Sequence, residues 1–298
     1  MRSPSVKLRR AKPLLGTLVE ITASGPEAAL QPALDAAFAS IERVHRLMSF
    51  HASDSDVSRI NAAETGSVVS VEADTFRVLT RALELGELSG GVFDIATAGA
   101  LVEQGFLPAP AGAQRPEPQA SFRDLVLMDG HRVQWHRKGW IDLGGIAKGY
   151  AVDCAIATLH SHGVDAAVVN AGGDLRCYGR AEPIHVRRPD APAVLVPLGW
   201  LNNLAIATSG GYFAGVERDG RQVDPLVDPG SHACTAWHES ISVVASDCMT
   251  ADALTKIVRL ARARAPGILD CLHAQAVVVD AQAVGTCGPT LLQRTDTR

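Results

Sequence analysis

Asp129-Gly130 and Asp219-Gly220 each separate two short runs, and the hairpins they predict constrain the fold more than any other feature. An Asp-Gly pair favours a tight turn with positive φ, so the flanking runs must pair antiparallel. FRDLVLM before Asp129 and RVQWH after Gly130 make the first case. Helices interleave with these hairpins. Gly25-Pro26-Glu27 opens one whose apolar positions Leu30, Ala33, Leu34, Ala37, Phe38, Ile41, Val44 and Leu47 recur at three- and four-residue steps to about Met48. Further helices are expected within HASDSDVSRIN, with a Ser or Asp cap, and over about 72–89, 146–162 and 250–264. Strands are expected at 14–22, 140–143, 166–170, 184–187, 193–198, 203–208, 240–245 and 276–280. Hairpins mixed with helices indicate an α+β fold, with mixed, largely antiparallel sheets packed with helices, rather than a doubly wound parallel sheet. Residues 1–298 read as a single domain, with the Pro/Gly/Ala-rich stretch 105–120 as a surface loop or linker.

Charge and cysteine usage exclude several function classes. A net charge of −4 argues against a general nucleic-acid surface. The six cysteines form no CxxC pair, so a zinc ribbon has no support and a disulfide framework is not expected. The N-terminus is basic, but no apolar signal core, lipobox cysteine or spanning run follows, so the expected location is the cytoplasm. Only five of the 28 cations are lysines: Lys7, Lys12, Lys138, Lys148 and Lys256.

Three apolar runs end in Gly/Ser-rich turns. In Ile141-Asp142-Leu143-Gly144-Gly145-Ile146-Ala147-Lys148 a double glycine leads into a helix start that carries a lysine. Glycines let backbone approach a ligand, helix-start amides favour an anion, and Lys148 adds a positive charge suited to phosphate. Asn170-Ala171-Gly172-Gly173-Asp174 and Thr208-Ser209-Gly210-Gly211 have the same character. Together the three turns fit a polyphosphate-bearing ligand. No GxGxxG or GxxxxGK[ST] pattern is present. Asp252, in the first turn of the helix after strand 240–245, is either a capping carboxylate or a Mg²⁺ ligand. Thr255 and Lys256 follow it by three and four residues, on the same helix face.

In order along the chain, LGT (15–17), Met48-Ser49 through Ser55 to Arg59-Ile60-Asn61, GVFD (91–94), IDLGGIAKGYAVD (141–153), NAGGD (170–174), ATSGGY (207–212), VDP (227–229) and TADAL (250–254) resemble the ApbE family of FAD:protein FMN transferases. The resemblance implies an ApbE-like fold and a Mg²⁺-dependent enzyme that cleaves FAD. It would transfer FMN to a Thr or Ser hydroxyl of a target protein and release AMP. By motif, it puts Met48, His51, Val92, Phe93, Asp94, Asp142, Lys148, Gly172, Gly173, Thr208 and Ser209 at FAD, and Gly145, Asp252 and Thr255 at the metal. Asp252 and Lys148 are the implied catalytic pair.

The chain departs from the family pattern twice. Lys256 stands where a metal-binding threonine is usual, and either replaces part of the metal's charge or repels the ion. Pro225 stands where a histidine base is usual, leaving Asp224, His232 and His51 as substitutes. Alternative readings are an FAD pyrophosphatase giving FMN and AMP, and a flavin-binding carrier with weak or lost catalysis. A structural domain without flavin is opposed by the 141–153 motif. The expected partners are FAD and an acceptor protein, with no nucleic acid and no membrane span.

Overall fold

Leu15 and Gly16 take positive φ (56° and 71°) and turn the chain back on itself between β1 (Ser5–Leu14) and β2 (Thr17–Pro26). The single strand expected at 14–22 is therefore the turn and second half of a hairpin. The computed structural model describes residues 5–211, 216–218, 221–234, 236 and 238–293. The Asp219-Gly220 turn and Tyr212 lie outside the described residues. After the hairpin come α1 (Glu27–Met48), α2 (Asp56–Ala62), β3 (Val68–Ser70), α3 (Ala73–Leu88), α4 (Ala98–Glu103), β4 (Leu125–Met128), β5 (Arg132–Trp135) and α5 (Ala147–Ser161). The second half holds β6 (Ala166–Ala171), β7 (Asp174–Tyr178), β8 (Glu182–Arg187), β9 (Leu195–Leu201), β10 (Ala205–Gly210), β11 (Val216–Arg218), β12 (Arg221–Val223), β13 (Val227–Asp228) and β14 (Ala233–Cys234). It ends with β15 (Ser240–Ala245), α6 (Cys248–Ala261), α7 (Ala265–Cys271), β16 (Gln275–Val279) and β17 (Val284–Cys287). No helix among the described residues is long and apolar enough to cross a membrane, and none of the six cysteines is in a disulfide.

The chain divides into two units. The first comprises Met1–His45, Lys148–Tyr212 and His238–Arg298. Its sheet has the order β1-β2-β6-β7-β10-β15-β16-β17, and every neighbouring pair is antiparallel. Successive strand residues face opposite sides, and β10 shows the consequence. Ile206 joins Ile184, Val186 and Leu201 of the β8–β9 hairpin in one apolar cluster. Ala205, Ala207 and Ser209 look the other way, the side on which Ser209 meets Thr255 of α6. The apolar stripe of α1 from Leu30 to Ile41 is fully buried, as its spacing predicts.

The second unit comprises Arg46–Ala147 and Phe213–Trp237. It holds a three-stranded antiparallel sheet, β3-β5-β4, and the short pairs β11–β12 and β13–β14. The β4–β5 turn spans three residues, not two, because His131 joins Gly130 at positive φ. Residues 105–120 carry no helix or strand and run inside this unit. The strand expected at 140–143 does not form. Its backbone groups are bonded one by one instead: Ile141 exchanges bonds of 2.7 and 2.9 Å with the Asn61 amide side chain, the Asp142 amide donates to the Ile95 carbonyl, and the Trp140 carbonyl accepts from Ala98. A segment satisfied this way has no call for a ladder partner.

Candidate active site

In the first unit, α5, β7 and α6 bring four charged side chains together. Asp247 caps α6, its carboxylate accepting from the Thr250 amide at 2.8 Å. The same helix start is also held from α5, where Asp153 accepts from the amides of Cys248 (3.0 Å) and Met249 (2.9 Å) and pairs with Arg176 of β7. A side chain on Gly149 would collide with the Cys248 carbonyl, so glycine permits this approach of the helices. The Gly149 amide donates to Asp252 Oδ2 at 3.3 Å.

Asp252, Thr255 and Lys256 share the inner face of α6, as a three- and four-residue spacing requires. Asp252 and Thr255 are fully buried. The Lys256 ammonium binds Asp252 Oδ1, the Asp252 carbonyl (3.0 Å) and Ser209 Oγ (3.4 Å). Thr255 donates to that carbonyl at 2.7 Å and lies 2.9 Å from Ser209 Oγ. Lys148, in the first turn of α5, binds Asp174 Oδ2 and stands 3.8 Å from Asp252 Oδ2. Asp174 opens β7 and is buried, and its Oδ1 has no hydrogen-bond partner among the described residues.

Two carboxylates and two ammonium groups balance in charge. Burial, and then the neighbouring Asp252, pushes the Asp174 carboxyl above its ordinary range. Burial also opposes ionisation of Asp252, but Lys148, Lys256 and the Gly149 amide outweigh it and hold that carboxyl low. Burial would strip Lys148 of its proton, yet Asp174 and Asp252 hold it on firmly. Burial and the surrounding carboxylates push the Cys248 thiol well up, so it is not a nucleophile here.

The structure brings some of the expected residues to this cluster and not others. Lys148, Ser209, Asp252 and Thr255 meet. Thr208 does not, because its hydroxyl bonds Ser242 at 2.8 Å on the opposite face of the sheet. Gly172 and Gly173 form the β6–β7 turn beside Asp174, with φ of 66° and 108°. Gly172 lies so close to Thr17 that no Cβ fits, and the Gly173 amide donates to Asn170 Oδ1 at 2.9 Å. Asp174 and Asp153 had no assigned role in the sequence. The signals available were their positions, directly after Gly172-Gly173 and at the end of the 141–153 motif.

The remaining expected residues lie in the second unit. Met48 is buried at the end of α1, and His51 is exposed with its amide on Ser49 Oγ at 3.2 Å. Val92 is half-buried and Phe93 buried. Asp94 Oδ1 accepts from the amides of Ala96 (2.7 Å) and Phe122 (3.0 Å), and burial raises its carboxyl to about 6. Asp142 Oδ2 accepts from Gly144 at 3.1 Å, and Gly145 sits in the turn before α5. Of the substitute bases, Asp224 is buried, whereas His232 and His51 are exposed.

Mg²⁺ needs hard oxygen donors with free lone pairs. On Asp252, Oδ1 is taken by the Lys256 ammonium, and Oδ2 faces Gly149 and Lys148. The Thr255 hydroxyl lies between Ser209 and the Asp252 carbonyl. Among the described residues no group of three or more His, Cys, Asp or Glu side chains is placed to hold a metal ion. The donor set around Asp252, as this chain builds it, does not fit a divalent ion.

The sequence signature described as the ApbE family matches residues 15–278. An FAD:protein FMN transferase of Treponema pallidum (strain Nichols) is 30% identical over 280 residues, 82% of this chain and 76% of that protein. One of Haemophilus influenzae is 27% identical over 239 residues, 73% and 69% of the two chains. Among solved structures, the ApbE protein of Thermotoga maritima superposes with a TM-score of 0.81 at 25% identity, covering 98% of each chain. The flavin transferase ApbE of Vibrio cholerae has the same fold, with a TM-score of 0.81 at 22% identity over 97% and 99% of the chains.

Proposed function

The chain belongs to the ApbE family, and on that premise we propose that it is an FAD:protein FMN transferase that moves FMN from FAD to a Thr or Ser hydroxyl of an acceptor protein. The acceptor oxygen bonds to the FMN-side phosphorus. The bond from that phosphorus to the bridging oxygen breaks, and AMP leaves with the electron pair. The hydroxyl proton passes to a base, for which Asp224, His232 and His51 are the candidates in this chain. Phosphoryl-type transfer asks mainly for positioning and for neutralisation of charge on phosphate oxygens. Lys148 and the Gly172-Gly173 turn serve that purpose, and Met48, His51, Val92, Phe93, Asp94 and Asp142 are assigned to recognition of FAD. The resemblance also brings Mg²⁺ with Gly145, Asp252 and Thr255 as ligands. Because the donor set on Asp252 does not fit that ion, no step here passes through it.

The observation that carries this reading is the Lys148–Asp174–Asp252–Lys256 cluster, two half-buried ammonium groups on two buried carboxylates, built where the 141–153, NAGGD and TADAL motifs converge. The test is incubation with FAD and an acceptor domain, followed for AMP and for covalent flavin on a fluorescent gel. AMP together with labelled acceptor is the expected result. AMP with free FMN only would make the enzyme a pyrophosphatase, and intact bound FAD with every acceptor would make it a carrier.

A further inference from the structure

We propose that Lys256 is the resident cation of this site: its ammonium takes the place of a divalent ion on Asp252, so the chain binds and cleaves the FAD pyrophosphate without a metal. The inference rests on the transferase reading for its ligand, and on the geometry of α6 for its charge. Lys256 lies one helical turn after Asp252, directly behind a segment buried on every side from Ala251 to Thr255, so the register of the helix sets its stem along that carboxylate. All three ammonium donors are engaged, with Asp252 Oδ1, the Asp252 carbonyl and Ser209 Oγ. A side chain fixed at two points on its own helix and at a third on β10 does not swing away to admit an ion.

Charge balance points the same way. Asp174 and Asp252 contribute two negative charges, and Lys148 and Lys256 two positive ones. A divalent ion added at Asp252 would place two further positive charges beside two ammonium groups in a poorly solvated pocket, where repulsion is strong. The incoming pyrophosphate instead meets an ammonium that is already in place on Asp252. An ammonium meets phosphate as a point charge, which is the service Mg²⁺ gives when it joins one or two carboxylates to phosphate oxygens. The contact with Ser209 is the longest of the three, so it is the donor a phosphate oxygen would take over.

The test uses the full chain and has two independent readouts. In the first, Mn²⁺ binding is followed by electron paramagnetic resonance for the wild type and for Lys256→Thr, without FAD. The variant should bind Mn²⁺ at least about tenfold more tightly. In the second, FAD affinity and AMP release are measured in EDTA and in excess Mg²⁺. The wild type should change by less than about twofold between the two, whereas Lys256→Thr should lose at least about tenfold in EDTA and recover in Mg²⁺. Wild-type Mn²⁺ binding as tight as the variant's would overturn the proposal. So would wild-type FAD binding or AMP release that disappears in EDTA and returns with Mg²⁺. If Lys256→Thr does not fold, the wild-type response to EDTA decides alone. If FAD binds under no condition, the transferase reading fails, while the Mn²⁺ comparison still decides the role of Lys256.

Discussion

Lys148 bonds to Asp174 yet stands 3.8 Å from Asp252, so a single ammonium holds two buried carboxylates in place. Asp174 comes from the start of a strand and Asp252 from the second turn of α6, not from the first turn that its sequence position suggested, and the first turn of α5 joins them.

Lys148→Met removes that join and leaves Asp174 buried without its cation. Breaking a buried pair from one side costs about 3–5 kcal/mol. The loss is smaller in acid, because a carboxyl already raised by burial is raised further and takes up a proton in the folded state. Urea unfolding at neutral and acidic pH should show the variant closer to wild type in acid. FAD titration should show at least about tenfold weaker binding. Equal destabilisation at both pH values would remove the buried Asp174 charge from the argument.

Asp94→Asn should flatten a pH dependence. The Asp94 carboxyl lies at about 6 in the fold against 3.8 in the open chain, so the native state holds the proton more tightly. The stability it gives is present in full below about pH 4 and is lost as pH rises to about 6. Both amide bonds fall on Oδ1, an oxygen that asparagine keeps, so the substitution preserves both of them. Thermal midpoints from pH 4 to 7 should fall less in Asp94→Asn than in wild type, and parallel curves would contradict the assignment.

Lys138 gives the opposite sign. It is fully buried, its ammonium donates to the Asn61 and Ala63 carbonyls, and burial lowers it to about 8 from 10.5. The folded chain sheds this proton before the open chain does, so stability rises from about pH 8 to about 10.5. Lys138→Met should lose that rise in chemical denaturation followed against pH. An unchanged slope would show that other groups produce it.

Gly149→Ala forces a methyl group onto the Cys248 carbonyl and should cost about 1–3 kcal/mol as α5 and α6 shift apart. The shift also moves Lys148 relative to Asp252, so AMP release should fall with stability. Gly267→Ala in α7 meets nothing within 4 Å and is the control. It should be neutral or stabilising by up to about 1 kcal/mol. If both variants unfold at the same denaturant concentration, the close approach of the helices is not what Gly149 serves.

Where apolar spacing carried the signal, the sequence alone was enough. The stripe from Leu30 to Ile41 predicted α1, and FRDLVLM with RVQWH predicted β4 and β5. β1 was invisible because none of its residues is buried, so its side chains alternate without an apolar face. β7 reads DLRCY, with its ends at Asp174 and Tyr178 serving other residues rather than a hydrophobic pattern. Trp140–Leu143 looked like a strand because it is apolar, but its bonds to Asn61 and Ile95 come from sequence-distant partners that no local pattern announces. The site divides along the same line. Asp252, Thr255 and Lys256 were legible from helical spacing, whereas the pairing of Lys148 with Asp174 across 26 residues and of Asp153 with the start of α6 required the fold. Thr208 and Ser209 show the converse, since adjacent positions in a strand cannot serve one side of the sheet.

β1 closes one end of the described strand order and has a single neighbour, β2. An open edge of this length invites another chain to add a strand, with aggregation as the outcome. Its sequence, SVKLRRAKPL, counters that with Lys7, Arg9, Arg10 and Lys12 and with Pro13, which offers no amide. Arg9, Arg10 and Lys12 are paired with Glu20, Asp35 and Glu42 of the same unit, so the charges stay anchored along the rim. The basic start of the chain is thus a guard that keeps copies of the protein from joining edge to edge.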